Sequence, residues 1–202
     1  MYSQNNEEEV IVNELTRMGT TTGRFLEIGA WDGKGFSNTY RLAELGWSGV
    51  CVEPSPNVFP KLVENHAGNA KIELVNAAIS ATVPRLVEWY DSGGDAISTT
   101  NIAHKEKWEK GWNSKFSKFW VFTMPMSCLF DQFGFDFEFI NIDVESTNME
   151  MFRALPWPAL KKTQIICVEH DNNHNAMGQI AAANGFGILH ANGENLIFSR
   201  QT

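Results

Sequence analysis

The stretch Phe25-Leu26-Glu27-Ile28-Gly29-Ala30-Trp31-Asp32-Gly33 constrains this chain more than any other, because a second acid-tipped apolar run follows at a telling distance. Phe25 to Ile28 read as a strand of the buried parallel type, and Gly29 and Gly33 open a tight turn with a helix expected from Phe36. The next run, Gly49-Val50-Cys51-Val52, closes on Glu53. The interval from Gly29 to Glu53 is close to the roughly 20 residues that separate a glycine-rich nucleotide turn from its ribose-binding acid. Two such strands with a helix between them form a βαβ unit suited to an adenosine-bearing cofactor.

The identity of that cofactor turns on the turn itself. A dinucleotide fingerprint needs three glycines so that backbone can approach a pyrophosphate at a helix N-terminus. Counting from Gly29, Trp31 and Lys34 stand where the second and third belong. An indole at the point of closest approach argues against a pyrophosphate, which leaves an NAD-dependent oxidoreductase as the weaker alternative. The pattern present is acid-x-Gly-x-x-x-Gly, from Glu27 through Gly29 to Gly33, which resembles the first motif of class I S-adenosylmethionine (SAM)-dependent methyltransferases. SAM carries an ammonium, a carboxylate and a sulfonium but no phosphate, so acids and backbone amides suit it.

Most of the chain resembles the FkbM-like branch of those enzymes. The segments that carry the resemblance are Tyr2 to Glu9, Glu27 to Gly33 with Phe36-Ser37-Asn38-Thr39, and Gly46 to Pro56 including Glu53-Pro54-Ser55. Asn76-Ala77-Ala78-Ile79-Ser80, Phe139-Ile140-Asn141-Ile142-Asp143-Val144-Glu145 and Cys167-Val168-Glu169-His170 complete it. Two residues depart from the family pattern: Ser146 replaces the glycine expected after Glu145, and Asn141 stands where lysine is frequent.

The resemblance implies a site. Glu27 and the backbone at Gly29 and Ala30 would face the methionine part of SAM, with Asp32, Gly33, Ser37 and Asn38 nearby. Glu53 would accept both ribose hydroxyls, as two carboxylate oxygens can, with Pro54 and Ser55 beside it. Asn76, Ala77 and Ala78 would edge the adenine, and Ser3 and Gln4 would fold over the amino-acid end. For the methyl acceptor the candidates are Asp143, Glu145, Glu169 and His170, with His170 the preferred base because imidazole titrates near working pH. Asp143 with Asp171 and Asn172 also resembles the Mg²⁺ site of catechol-type methyltransferases, a minor alternative. The function expected is O-methylation of a hydroxyl on a small molecule or sugar; a catalytically silent SAM-binding scaffold is the third reading.

Composition narrows the partners. The apolar fraction of 43% and the charged fraction of 20% are those of an ordinary globular protein. A net charge of −8 disfavours a general nucleic-acid binder, which needs clustered Lys and Arg. Three cysteines cannot all pair, and Cys51 and Cys167 fall inside apolar strand patterns, so a reducing compartment is expected. The N-terminus is polar and acidic, without the features of a secretory leader, and no run nears the ~20 apolar residues of a membrane span. These point to a cytoplasmic location.

Short apolar runs place strands at about 25–29, 49–53, 72–78, 137–143 and 164–169, with a final pair near 186–191 and 194–199. Helices alternate with them at about 6–18, 36–45, 56–66, 127–134, 147–154 and 174–184. This order predicts a single α/β domain over residues 1–202, a doubly wound, Rossmann-like and mostly parallel seven-stranded sheet with helices on both faces. Glu27, Glu53, Asn76, Asp143 and Glu169 all end strands and would meet on one rim, where such sheets bind ligands. Residues 81–120 interrupt the alternation as an irregular or helical insertion and candidate substrate lid. Within it, Trp108, Trp112, Phe116 and Phe119 with Trp120 recur at helical spacing among lysines. The plain expectation is an amphipathic helix with its aromatic stripe packed on the sheet.

Overall fold

The computed structural model describes residues 1–201. Its main sheet is built from β1 (Arg24–Ile28), β2 (Ser48–Val52), β3 (Ile72–Val75), β7 (Phe139–Ile142), β8 (Ile165–Glu169), β9 (Phe186–Ala191) and β10 (Asn195–Arg200). The spatial order is β3-β2-β1-β7-β8-β10-β9, and only β10 runs against its neighbours. The helices are α1 (Glu7–Arg17), α2 (Tyr40–Glu44), α3 (Phe59–Asn65), α5 (Met126–Phe133), α6 (Asn148–Ala154) and α7 (His174–Ala183).

Alternation along the strands divides the interior into two cores, because successive side chains point to opposite faces. Leu26, Ile28, Ile140, Ile142, Ile166 and Val168 pack with Phe130 of α5, Phe152 of α6 and Met177 of α7. Phe25, Cys51, Phe139, Ile165 and Cys167 pack with Leu15 of α1, Leu42 of α2 and Leu62 of α3. The expected doubly wound sheet is therefore present, and all three cysteines are free.

Two polar residues, Glu27 and Asn141, lie on the α1–α3 face in register with each other near the strand tips, and both are buried. Burying such groups is costly unless they are hydrogen-bonded. That they sit here, rather than another aliphatic pair, marks where the core ends and the site begins.

Three local expectations are corrected. The helix expected from Phe36 begins at Tyr40, because Phe36 takes a left-handed φ of 53° and Ser37 Oγ accepts the Thr39 and Tyr40 N–H groups. The single strand expected over 72–78 breaks at Asn76-Ala77, and its continuation β4 (Ala78–Ser80) leaves the main sheet. In the insertion, β5 (Leu86–Asp91), α4 (Ile102–Trp112) and β6 (Ser117–Pro125) follow, and β4-β6-β5 form a separate three-stranded sheet. The aromatic stripe is thus not one helix: Phe116 falls beyond α4, and Phe119 and Trp120 lie on β6. No residue of α4 is buried, so the helix does not pack a stripe on the sheet.

Candidate active site

The order of the strands reverses between β1 and β7, and the ligand crevice of an open α/β sheet lies at that point. Here a cavity of about 410 Å³ opens at the carboxyl ends of the strands, within the range of small-molecule sites. Gly29 makes the junction. With φ at +87°, it brings β1 so close to β7 that a Cβ there would lie 1.6 Å from the Asp143 carbonyl oxygen. Only glycine fits, and the reason is the neighbouring strand as much as any ligand.

Glu53 is the best-defined acid of the site. One carboxylate oxygen accepts the Trp31 N–H at 3.0 Å and the other the Ser55 N–H at 2.7 Å. Each oxygen keeps a lone pair free, and the side chain borders the cavity. Burial pushes its pKa up to about 7 against these hydrogen bonds, helped by the charges of Asp91 and Asp143. Trp31 takes a left-handed φ of 47°, stacks on Phe36 and donates from its indole to the Gly94 carbonyl, tying the glycine turn to the insertion.

Glu27 and Asn38 form the floor. Glu27 accepts the Thr39 hydroxyl at 2.7 Å and the Ser37 hydroxyl at 3.3 Å, and burial raises its pKa to about 8. Asn38 donates to Asn141 Oδ1 at 3.0 Å, so the asparagine that departs from the family pattern holds another site residue. The Asn38 Oδ1 is buried and has no partner. An orphaned acceptor on a cavity wall fits a cationic ligand group such as an ammonium, since native proteins rarely leave such atoms unpaired.

The far wall is acidic. Asp143 and Glu145 come from the loop after β7, Glu169 ends β8, and Asp171 lies in the loop after β8. The Asn148 amide donates to Glu169 at 2.6 Å and to Asp171 at 3.0 Å. Asp143 is an exposed residue where it borders the cavity, and desolvation by the protein around it raises its pKa, as it does for Glu169. Burial, then the charges of Asp143, Glu169 and Asp171, lift Glu145 to about 9. Glu145 and Ser146 both adopt positive φ, 44° and 77°, as do Asp171 and Asn172 on the other loop. Ser146 therefore holds the glycine conformation that the family pattern expects there. Among the described residues no group of three or more His, Cys, Asp or Glu is placed to hold a metal ion.

Five expected residues do not line the cavity. Both His170 ring nitrogens are engaged, Nδ1 accepting the Asn172 N–H at 3.1 Å and Nε2 lying 3.3 Å from the Asn192 carbonyl, and the ring packs on His174. His170 is thus a buried structural group, and the choice of it as base is corrected. Ser3 is turned to α1, accepting the Glu8 N–H. Asp32 accepts the Lys34 and Gly35 N–H groups, Gly33 faces Leu62 and His66, and Asn76 donates to the Glu53 and Pro54 carbonyls. Gln4, Ala30, Ser37, Pro54, Ser55, Ala77 and Ala78 do reach the cavity.

From the insertion, the expected lid, Lys107 and Trp108 of α4 line the same cavity, and so does His104, which the sequence reading did not single out. His104 Nδ1 lies 2.7 Å from Ser146 Oγ, and Nε2 lies 3.2 Å from Glu145 Oε2. Asp91 accepts from Ser55, Asn57, Trp89 and the Gly93 N–H, and Thr99 donates to the Glu145 carbonyl. The spacing of His104, Lys107 and Trp108 along one helical face was the available signal, since residues three and four apart share a face.

A seven-stranded sheet in this order, with acids at the tips of β1, β2 and β7 around one crevice, defines a methyltransferase of the class I fold. The family pattern described as the methyltransferase FkbM domain matches residues 27–193, and the chain belongs to that family. Among solved structures the chain is similar to a precorrin-6y C5,15-methyltransferase from Geobacter metallireducens GS-15, with 11% identity and a TM-score of 0.54 over 96% of this chain and 88% of that one. It is also similar to a ribosomal protein L11 methylase from Lactobacillus delbrueckii subsp. bulgaricus, with 13% identity and a TM-score of 0.51 over 98% and 81%. At such identities the likeness concerns the fold. No curated protein matches by sequence. Among the described residues no helix is long and apolar enough to cross a membrane.

Proposed function

We propose that the protein is a SAM-dependent O-methyltransferase acting on a hydroxyl of a small molecule or sugar. The observation that carries this reading is Glu53, whose two oxygens are held by backbone N–H groups with lone pairs left over at a cavity edge, as two ribose hydroxyls require. Asn38 Oδ1, Glu27 and the Gly29-Ala30 turn would take the methionine end, with Gln4 and Ser37 beside them. Pro54, Ser55, Ala77 and Ala78 would edge the adenine.

SAM supplies a methyl on a sulfonium, whose departure as a neutral thioether needs little covalent help. The chain's own task is to align the acceptor, exclude water and take up a proton. Nine carboxyl side chains line the cavity against one lysine and no arginine. That balance favours a cationic cofactor over a pyrophosphate, and a polyol over a phosphorylated acceptor. Asp143, Glu145 and Glu169 can accept hydrogen bonds from hydroxyls, while Trp108 and Phe36 offer apolar faces.

Calorimetric titration with SAM, S-adenosylhomocysteine and NAD tests the cofactor. Binding of NAD without SAM would overturn the reading. Transfer of labelled methyl from SAM to a panel of methyl glycosides and polyols tests the acceptor, and a panel with no product refutes the sugar or polyol class.

A further inference from the structure

We propose that His104 is the proton acceptor of the transfer reaction and that Ser146 fixes which of its ring nitrogens does the accepting; this rests on the methyltransferase reading above. Ser146 has a φ of +77°, which costs a non-glycine residue roughly 1–2 kcal/mol, at a position where glycine would cost nothing. The hydroxyl that glycine lacks is the atom that lies 2.7 Å from His104 Nδ1.

His104 is brought there by the cap of α4. Asn101 accepts the Ala103 and His104 N–H groups at 2.9 and 3.3 Å, which sets the first turn against the loop after β7. Thr99 adds a hydrogen bond to the Glu145 carbonyl, so the chain on both sides of that cap is docked on the same turn. The second ring nitrogen, Nε2, is buried at the cavity without a hydrogen-bond partner, although Glu145 Oε2 is only 3.2 Å away, poorly aligned.

An imidazole whose Nδ1–H is donated to Ser146 Oγ carries its lone pair on Nε2, which is covered beside Glu145 at the cavity wall and is reached by a substrate hydroxyl only when that carboxyl shifts. Burial, then the charge of Lys107, lowers the His104 pKa, so the ring is neutral and able to accept. Glu145, lifted to about 9, keeps its own proton at neutral pH and does not require one from Nε2. In the reaction the acceptor oxygen bonds to the methyl carbon as the carbon–sulfur bond breaks, its electron pair returning to sulfur. The hydroxyl proton passes to Nε2. The imidazolium then faces Glu145 and the charge of Asp171, which favours it, with Lys107 opposing.

His104 is the catalytic residue in this scheme and Ser146 a positioning residue. The test is a long-range ¹H–¹⁵N correlation spectrum of histidine-labelled protein with S-adenosylhomocysteine present, His104 being assigned by its loss in His104→Gln. Wild type should show a neutral ring protonated at Nδ1, and Ser146→Gly should show a mixture of tautomers with thermal stability equal or higher. A purely structural role for Ser146 predicts instead lower stability and an unchanged ring. With the methyl glycoside that wild type turns over fastest, His104→Gln should lower kcat by about 100-fold or more with the S-adenosylhomocysteine Kd unchanged. An Nε2-protonated ring in wild type, an unaltered ring in Ser146→Gly, or normal kcat in His104→Gln overturns the proposal. A protein that shows no response to S-adenosylhomocysteine sinks the cofactor reading and the proposal with it, whereas bound nucleoside with the wrong tautomer sinks the proposal alone.

Discussion

Replacing Glu53 by alanine should weaken nucleoside binding in a way that depends on pH. In the free protein burial holds this carboxyl at about 7, while two ribose hydroxyls would donate only to its charged form. Affinity should therefore be flat well above pH 7 and fall as the group takes up its proton. At pH 8 about nine-tenths of the carboxyl is ionised and at pH 6 about one-tenth, so binding should be roughly tenfold weaker at the lower pH. At pH 8, Glu53→Ala should cost about 1.5–3 kcal/mol, the usual worth of hydrogen bonds to a charged group, or about 10- to 150-fold in Kd. S-Adenosylhomocysteine is the ligand to use, because it keeps the ribose but lacks the sulfonium that would draw on other acids. Isothermal titration from pH 6 to 8.5 with both proteins isolates the contribution of Glu53, since Glu145 and Glu169 titrate in both. Parallel pH curves, or an unchanged Kd in a folded variant, would refute the assignment.

Three further outcomes follow from single atoms. Gly29→Ala places a methyl against the Asp143 carbonyl at a φ of +87° and should destabilise the fold by about 3 kcal/mol or more; near-wild-type urea stability would mean the strands are not so close. Asn38→Ala removes the unpartnered acceptor and should weaken S-adenosylhomocysteine by about 1 kcal/mol while leaving 5′-methylthioadenosine, which lacks the amino-acid ammonium, unaffected; equal losses for both would remove Asn38 from the methionine end. Glu27 titrates at about 8 when folded and near 4.3 when unfolded, so the native state holds the extra proton between those values. Its contribution to stability accordingly falls as pH rises through that window, and Glu27→Gln should gain on wild type by roughly a few kcal/mol between pH 5 and pH 8.5 in urea titrations; a constant difference would contradict it.

The main sheet was readable because parallel strands buried on both faces are nearly continuous apolar runs, and each of the seven stands close to its expected place. The convergence of Glu27, Glu53, Asp143 and Glu169 on one cavity was also readable, since parallel strands deliver their carboxyl ends to the same rim. What misled the reading was residues whose polarity serves the backbone. Asp32 and Asn76 bind neighbouring main-chain groups, and His170 saturates both nitrogens on its own loop and the next. An isolated sequence does not distinguish a polar residue that holds a turn from one that meets a ligand, because both sit at strand ends.

The insertion was harder for a different reason. From Ser117 to Pro125 the strand β6 carries aromatic or aliphatic side chains on both of its faces, Phe119 and Val121 on one and Trp120 and Phe122 on the other. Alternation is the signal of a half-buried strand, and here it is absent, so spacing inherited from α4 looked like a longer helix. The consequence reaches the chemistry. Three residues of α4 line the site, and their placement depends on contacts some 40 residues apart in sequence: His104 to Ser146 and Thr99 to the Glu145 carbonyl. The same turn after β7 thus carries two acids of the cavity wall and receives the docked insertion. Ser146 is where these meet. A departure from the family's glycine looked like a weakened motif in sequence, and in three dimensions its hydroxyl joins α4 of the insertion to the turn after β7.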